Sequence, residues 1–122
     1  MIPLYEQQQS KGYVVESGSN ANGNYIKFSD GTMICTKKIS GNVDITNSWG
    51  VLFESSAIDC GKYANEFNKV PEISATATGS GVIIETITGG TEKNYGNLYL
   101  LLPMSQENRS YTISLTAIGT WK

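Results

Sequence analysis

The stretch GSNANGNYIKFSDGTMIC, residues 18–35, places a turn signal between two runs of strand-forming residues. The dipeptide Asp30–Gly31 supplies the two positive φ angles that a type I′ turn requires. This turn sets three cross-strand pairs: Phe28 with Met33, Ile26 with Cys35, and Lys27 with Ile34. Alternation then predicts an apolar face made of Ile26, Phe28, Met33 and Cys35. The opposite face carries Tyr25, Lys27, Ser29, Thr32 and Thr36. A slip by one residue would expose the apolar set, so turn and pattern favour the same register.

The rest of the chain is predicted to consist of short strands joined by polar segments. Further strands are predicted at residues 12–16, 43–46, 49–54, 72–78, 82–88, 97–102 and 110–118, with loops at 17–24 and 89–94 and a turn at 106–109. One face of the 49–54 strand is assigned to Trp49, Val51 and Phe53, and the inward face of the last strand to Tyr111, Ile113, Leu115 and Ala117. In residues 55–68, Gly61 favours irregular structure or a bent strand over a helix. Strands at this spacing indicate an all-β fold, an antiparallel β-sandwich or barrel.

The strand at residues 97–102 is apolar on both faces, with Tyr99 and Leu101 opposite the three other leucines. An antiparallel sheet normally leaves one face in water. Either this strand is central, with Tyr99 and Leu101 covered by residues 55–68 of a monomer, or its second face meets another subunit. Burial against a partner would be worth roughly 2 kcal/mol for each of these side chains. We therefore expect a homotrimer, with the covered monomer as the alternative.

Composition limits the classes of function. The chain has 122 residues, a net charge of −2 and no histidine. This length suits one domain, which we expect at residues 18–122 behind an N-terminal arm or stalk junction at residues 1–17. Clustered cations for nucleic-acid binding are missing. Without histidine, the commonest general base and metal ligand is missing too. We expect a protein that is not an enzyme and has neither a metal nor a cofactor.

Two cysteines and the apolar runs give further expectations. Cys35 is predicted to be buried and Cys60 to lie in a turn, both as free thiols, although a bridge between them stays open. No signal peptide is recognisable at the N-terminus. The run Leu98–Met104 is far too short to span a bilayer. We therefore expect a soluble protein that does not insert into membranes.

Two motifs carry a resemblance to a known family. The run Asn22-Gly23-x-Tyr25-x-Lys27-Phe28-x-Asp30-Gly31-Thr32-x-x-Cys35 resembles the start of the distal domain of bacteriophage tail-fibre and receptor-binding proteins. The ending Ala117-Ile118-Gly119-Thr120-Trp121-Lys122 is similar to the Ala-Ile-Gly-Arg-Trp-Lys ending of those proteins, with Thr120 in place of the usual Arg. The Trp49-Gly50 pair and the Phe67-x-x-Val70-Pro71 run also resemble H-type-lectin-like domains. The resemblance covers residues 18–122.

The resemblance implies an H-type-lectin-like or jelly-roll-like sandwich at the tip of a virion tail fibre. Its expected partner is a bacterial surface polysaccharide, bound for host attachment, and its expected location is the virion tail after assembly in the host cytoplasm. A purely structural tail-tip or trimerisation module is the alternative. A glycan-cleaving enzyme is a weaker one, because no pair of carboxylates has a supporting spacing.

Polar and aromatic residues in two segments are the candidate ligand-binding residues: Asn94, Tyr95, Asn97, Gln106, Glu107, Asn108 and Arg109. Aromatic faces stack on the C–H groups of sugars, and amides and carboxylates reach sugar hydroxyls. The two segments flank the 97–102 strand, so they should lie at opposite ends of it. For each segment a structural role is the alternative, with Tyr95 capping the core and residues 106–109 forming a plain polar turn. Trp121 is predicted to be a packing anchor for the C-terminus.

Overall fold

The computed structural model describes residues 12–78 and 84–122, and these residues form nine strands with no helix. The strands are β1 (Val14–Asn20), β2 (Gly23–Phe28), β3 (Thr32–Trp49), β4 (Leu52–Ser55), β5 (Ile58–Asp59), β6 (Glu72–Thr78), β7 (Ile84–Thr88), β8 (Asn97–Leu102) and β9 (Gln106–Thr120). Every pairing among them is antiparallel. The predicted all-β antiparallel sandwich is confirmed. None of the described residues belongs to a helix that could cross a membrane.

The long strand β3 joins the two layers of the sandwich. In the first layer the strands run in the order β1-β2-β3-β9-β6. At its far end β3 pairs with β4, which continues through β8 to β5 and β7 in the second layer. A strand of 18 residues can serve both layers because strands twist and coil.

The core lies between these two layers. Its fully or nearly buried apolar residues include Met33, Cys35 and Ile45 of β3, Leu98, Leu100 and Leu102 of β8, and Ile113, Leu115 and Ala117 of β9. Tyr63, Phe67 and Tyr95 close one side of the core, with the Tyr63 ring 4.9 Å from Phe67 and 4.5 Å from Tyr95 between centroids. The alternation predicted for β9 is confirmed, and so is the irregular, helix-free course of residues 55–68.

The predicted register of the β2–β3 hairpin is wrong by one residue. Tyr25 pairs with Cys35 and Lys27 with Met33, so Ile26 points away from the core and is 39% exposed. The loop has three residues, Ser29–Gly31, closed by a hydrogen bond from Gly31 N to Phe28 O at 3.0 Å. Gly31 has a φ of 99°, as such loops require.

Long amphipathic side chains explain how this register satisfies the core. Tyr25 and Lys27 lie at the rim of the inner face, where their apolar stems cover the core and their polar ends reach Glu16. Tyr25 Oη donates to Glu16 Oε2 at 2.7 Å, and Lys27 Nζ lies 3.4 Å from the same oxygen. Tyr25 lowers the pKa of Glu16 by this hydrogen bond, and Lys27 lowers it further.

Three other local predictions are corrected. Residues 17–24, predicted as a loop, form the β1–β2 hairpin with Asn20 paired to Gly23. Residues 49–54 are not one strand, because Trp49 ends β3 and pairs with Leu52 across a two-residue turn. Residues 106–109, predicted as a turn, begin β9 instead. In the first and third cases a backbone partner across the sheet extends the strand into a polar sequence.

The second face of β8 is covered at Leu101 and half-covered at Tyr99 within the single chain. Leu101 is 4% exposed in the single chain. β8 is a central strand, with β4 and β5 on one side and β7 on the other. The strand is therefore central, which was one of the two alternatives, and Leu101 offers no surplus surface to a trimer.

The predicted boundary between the N-terminal arm and the domain, after residue 17, falls inside β1. This strand begins at Val14 and pairs with β2, so the sheet includes part of the stretch 1–17. Residues 1–11 and 79–83 lie outside the described residues, which leaves most of the predicted arm and the start of the predicted 82–88 strand undescribed.

Candidate functional site

Both ends of the described chain lie beside the β2–β3 loop. Ser29 N donates to Tyr13 O at 2.8 Å, which ties the start of the chain to this loop. Trp121 N donates to Gly31 O at 2.9 Å, which ties the last residues to the same loop. We call this region the terminal end. Any segment joined before residue 12 or after residue 122 therefore joins the sandwich at the terminal end.

From the terminal end β3 runs to the opposite end of the sandwich, which we call the distal end. Its 18 residues correspond to roughly 55 Å of extended chain. The distal end is formed by the β3–β4 hairpin and the connection from β8 to β9. The two are adjacent because Phe53 of β4 pairs with Leu102 of β8 and Ile45 of β3 pairs with Gln106 of β9. This end is free of both described termini.

Three large apolar side chains are exposed at the distal end. Trp49 is 59% exposed, Val51 92% and Met104 60%. Phe53 of β4 pairs with Leu102 of β8. Val51, in the β3–β4 turn, and Met104, in the β8–β9 connection, each lie two residues from this pair along the chain. Gly50, with a φ of 63°, forms the turn that holds Trp49 and Val51 outward. A buried aromatic would have been the ordinary outcome for a tryptophan in an apolar run, so its exposure here suggests a contact surface.

The predicted ligand residues Gln106, Glu107, Asn108 and Arg109 lie at this same end. Asn108 has a φ of 50° and sits in a bulge opposite Asp44, whose Oδ1 accepts a hydrogen bond from Asn108 N at 2.7 Å. Arg109 Nη1 donates to Gln106 Oε1. The bulge leaves the side chains of Glu107 and Asn108 exposed. The segment therefore adds amide and carboxylate groups to the apolar distal surface.

The other predicted residues lie elsewhere, at the opposite end of β8. Tyr95 is completely buried, its ring packs on Tyr63, and its hydroxyl has no hydrogen-bond partner among residues 12–78 and 84–122. Burial raises the pKa of Tyr95 strongly. Asn94 forms an isolated bridge with Lys62, and Asn97 is the exposed first residue of β8. The face of the Tyr95 ring is not available to a ligand, and this residue has the core role that was its alternative.

The titratable groups in the core are arranged for packing. Cys35 and Cys60 are both free thiols, as predicted, and both are buried, which was predicted for Cys35 alone. Burial raises both pKa values, that of Cys60 to about 11. Lys37 Nζ donates to Cys60 O at 2.9 Å and lies 5.5 Å from the centre of the Tyr95 ring, while burial lowers its pKa. Thiols that hold their protons are poor nucleophiles. The described residues contain no group of three or more metal-ligating side chains.

A shallow groove crosses the outer face of the first layer. Its volume is about 350 Å³, and it is lined by Gly23, Asn24, Thr36, Lys37, Lys38, Ser114, Leu115 and Thr116. It lies between the two ends and combines hydroxyl groups with the exposed Lys38. It is thus a second polar surface, separate from the distal end and of different charge.

Charge is distributed unevenly between the two ends. The charged residues of the distal end are acidic apart from one: Asp44, Glu54, Glu107 and Arg109. Among the described residues, all lysines lie toward the terminal end or the groove: Lys27, Lys37, Lys38, Lys62, Lys69, Lys93 and Lys122. The loops that carry Lys62 and Lys93 pack beside β3 near Cys35, since Tyr63 N donates to Lys93 O and Cys35 Sγ to Asn65 O. The distal end therefore has a negative local charge.

Sequence reasoning missed Trp49, Val51 and Met104 as surface residues. Alternation assigned Trp49 and Val51 to the same face as Phe53, because the 49–54 run was interpreted as one strand. Gly50 is the signal that could have found them, since a glycine with flanking polar Asn47 and Ser48 is compatible with a tight hairpin turn.

Two solved structures are similar to this chain over nearly its whole length. One is an N-truncated R1-type pyocin tail fibre, with a TM-score of 0.58 and 12% identity over 98% of both chains. The other is a P. aeruginosa R1 pyocin fibre comprising its C-terminal residues, with a TM-score of 0.56 and 12% identity over 98% of this chain and 32% of that chain. No family model and no curated protein matches the sequence. At this identity the similarity shows a shared fold, and it confirms the tail-fibre fold that the two sequence motifs imply.

Proposed function

We propose that this chain is a distal domain of a phage or phage-like tail fibre, and that its distal end binds a bacterial surface polysaccharide for host attachment. The observation that carries the proposal is the placement of exposed Trp49, Val51 and Met104 at the end opposite both described termini. A fibre shaft joined at the terminal end would present this surface first to a cell. The tail-fibre fold of the two similar structures supports the context.

The distal end has the chemistry that a carbohydrate requires. The exposed face of an indole packs against the C–H face of a sugar ring, and it loses little conformational freedom on binding. Gln106 and Asn108 supply amide donors and acceptors, and Glu107 supplies a carboxylate acceptor for sugar hydroxyls. One such shallow site binds weakly, but several on one particle raise the effective affinity by roughly 10²–10⁴.

We further propose that binding is not followed by cleavage. The distal acids Asp44 and Glu107 flank a bulge, and Asp44 is already occupied by a hydrogen bond to Asn108 N. Incubation of a bound polysaccharide with the protein should release no reducing ends, and time-dependent release would contradict this proposal.

Binding to whole cells and to an array of purified bacterial surface polysaccharides tests the adhesin. We expect at least one polysaccharide to be bound, and we expect Trp49→Ala to weaken that binding about tenfold or more, as for an interface hot spot. Tyr13→Ala is the matched control, because Tyr13 is an exposed aromatic at the terminal end and its change should leave binding within about twofold.

Failure of that test would favour the structural alternative. If no cell and no polysaccharide is bound, or if Trp49→Ala binds as well as the parent chain, the distal end has no receptor role. A tail-tip or trimerisation module would then be the better description.

The homotrimer remains a proposal, and a second apolar surface is available to it. Leu101 is covered within the chain, but Ile26, Ile34 and Ile118 form a row across the outer face of the first layer, with Ile26 and Ile118 exposed. Light scattering decides the question: a mass three times 13.2 kDa supports the trimer, and a mass of one chain at high micromolar concentration excludes it.

A further inference from the structure

The described residues of the distal end do not include the groups that bind phosphate. Protein sites for phosphate use clustered lysines and arginines or sets of convergent backbone N–H groups. Among the described residues of the distal end the cation is Arg109, and its guanidinium donates to Gln106 Oε1. Asn108 N, an N–H group freed by the bulge, donates to the carboxylate of Asp44 at 2.7 Å. A site designed for a phosphate would not place a carboxylate on that N–H.

The net field at this end opposes anions. Glu54 and Glu107 add to the charge of Asp44, and no described lysine lies near them. Exposed charges of one sign repel a ligand of the same sign over about one Debye length, roughly 8–10 Å at physiological salt. A polymer with a phosphate or carboxylate in each repeat would therefore pay an electrostatic penalty on approach. An uncharged ligand would not.

From this distribution, and resting on the proposed function, we infer that the distal end recognises an uncharged segment of polysaccharide with apolar C–H faces, such as 6-deoxy or N-acetyl sugars. Trp49, Val51 and Met104 contact methyl or acetyl groups and ring C–H faces. Gln106 and Asn108 bind hydroxyl or amide groups. Phosphate-bearing polymers are excluded from this end, because the lysines or arginines needed to bind them would have to come from another part of the protein surface.

The test compares binding of the full chain to uncharged bacterial polysaccharides and to phosphate-bearing polymers, including poly(glycerol phosphate) teichoic acid. Each is measured at about 20 mM and about 500 mM NaCl, because contacts with phosphate weaken steeply with salt. Two variants accompany the parent chain. Trp49→Ala removes the distal aromatic, and Lys38→Gln removes the exposed cation of the groove without altering the distal end.

We expect binding to one or more uncharged polysaccharides, changing less than about twofold with salt and weakened about tenfold by Trp49→Ala, with Lys38→Gln unaffected. Binding confined to phosphate-bearing polymers, lost at high salt and in Lys38→Gln, would overturn this inference while leaving a polysaccharide-binding role intact. Absence of binding to every polymer and to whole cells would overturn the proposed function itself. Self-association that Trp49→Ala abolishes would assign the distal surface to a second copy of the chain and overturn both.

Discussion

The indole N–H of Trp121 donates a hydrogen bond to the backbone carbonyl of Phe28 at 2.9 Å, across 93 residues of sequence. The same carbonyl accepts from Gly31 N at 3.0 Å. The ammonium groups of Lys27 and Lys122 lie 5.3 and 5.1 Å from the centre of the Trp121 ring. The two motifs that resemble tail-fibre proteins thus meet in space, and together they close the terminal end.

Replacing Trp121 with phenylalanine should destabilise the fold by about 1 to 2 kcal/mol. The change removes one hydrogen bond and weakens two cation–π contacts while keeping an aromatic ring. Chemical denaturation monitored by circular dichroism measures the loss. Trp49→Phe is the matched control, because Trp49 is largely exposed and its free energy of unfolding should change by less than about 0.5 kcal/mol. Equal losses in the two variants would show that Trp121 is not the anchor.

Replacing Gly23 with alanine should destabilise the β1–β2 hairpin by about 3 kcal/mol or more. Gly23 has a φ of 109°, and a Cβ there would lie 2.1 Å from the carbonyl oxygen of Thr36. Strain and the backbone clash add together. Gly50→Ala separates the strain from the clash, because Gly50 has a φ of 63° and nothing lies within 4 Å of the added Cβ. This variant should lose about 1 kcal/mol of stability from strain alone. Denaturation midpoints compare the two, and equal costs would exclude the clash.

Stability should fall on the alkaline side, and Cys60 should account for much of the fall. Burial raises the pKa of Cys60 from 9.0 to about 11, so above pH 9 the unfolded chain releases a proton that the folded chain retains. Such a thiol lowers the unfolding free energy by up to about 1.4 kcal/mol per pH unit until its folded pKa is reached. Cys35 acts in the same direction, and Tyr63, with a pKa raised to about 12, acts above pH 10. Lys37, whose pKa is lowered, acts in the opposite direction.

Denaturation of Cys60→Ala at pH 7, 9 and 10, with a reducing agent present, checks this prediction. The variant should lose stability with pH less steeply than the parent chain between pH 9 and 10, since one of the two buried thiols remains. The comparison uses the slopes, because the substitution also changes packing at neutral pH. An unchanged slope would contradict the prediction.

On the acid side Asp30 should supply a pH-dependent part of the stability. Its Oδ1 accepts a hydrogen bond from Thr32 N at 2.9 Å, and this bond is the main cause of its lowered pKa. A carboxyl with a depressed folded pKa stabilises the fold above its ordinary value of 3.8 and loses that effect as the pH falls through the folded pKa. Asp30→Asn should therefore lower the melting temperature at pH 6, and the difference should shrink below pH 3. A difference that stays constant with pH would show that ionisation of Asp30 is not involved.

The regular strands could be predicted closely because the alternation of apolar and polar residues within each strand indicates which side chains face the core. β8 was predicted with its exact bounds, and β6 and the inward face of β9 follow from alternation of apolar and small polar residues. The length of β3 could not be predicted in this way. Its polar part, around Asn42, is a strand because it pairs with Ser110 of β9, a partner far away in sequence.

The candidate site was predicted in part. The residues 106–109 were singled out for their chemistry, and the structure places them at the distal end. Trp49, at the same end of the sandwich, was assigned to one strand face together with Val51 and Phe53, because residues 49–54 were interpreted as a single strand. Only the Trp49–Leu52 pairing, which makes Gly50 and Val51 a turn, shows that this side chain points outward.

The sequence by itself determined the class of fold, the burial of Cys35 and the two terminal motifs, because alternation, turn residues and side-chain chemistry are local properties. Only the tertiary structure decided the hairpin register, the burial of Leu101 and the grouping of Trp49 with residues 106–109. The Asp30–Gly31 dipeptide suits loops of two or three residues almost equally. The choice between them came from non-local packing, in which Met33 and Cys35 are buried against β9 while Tyr25 and Lys27 cover the rim.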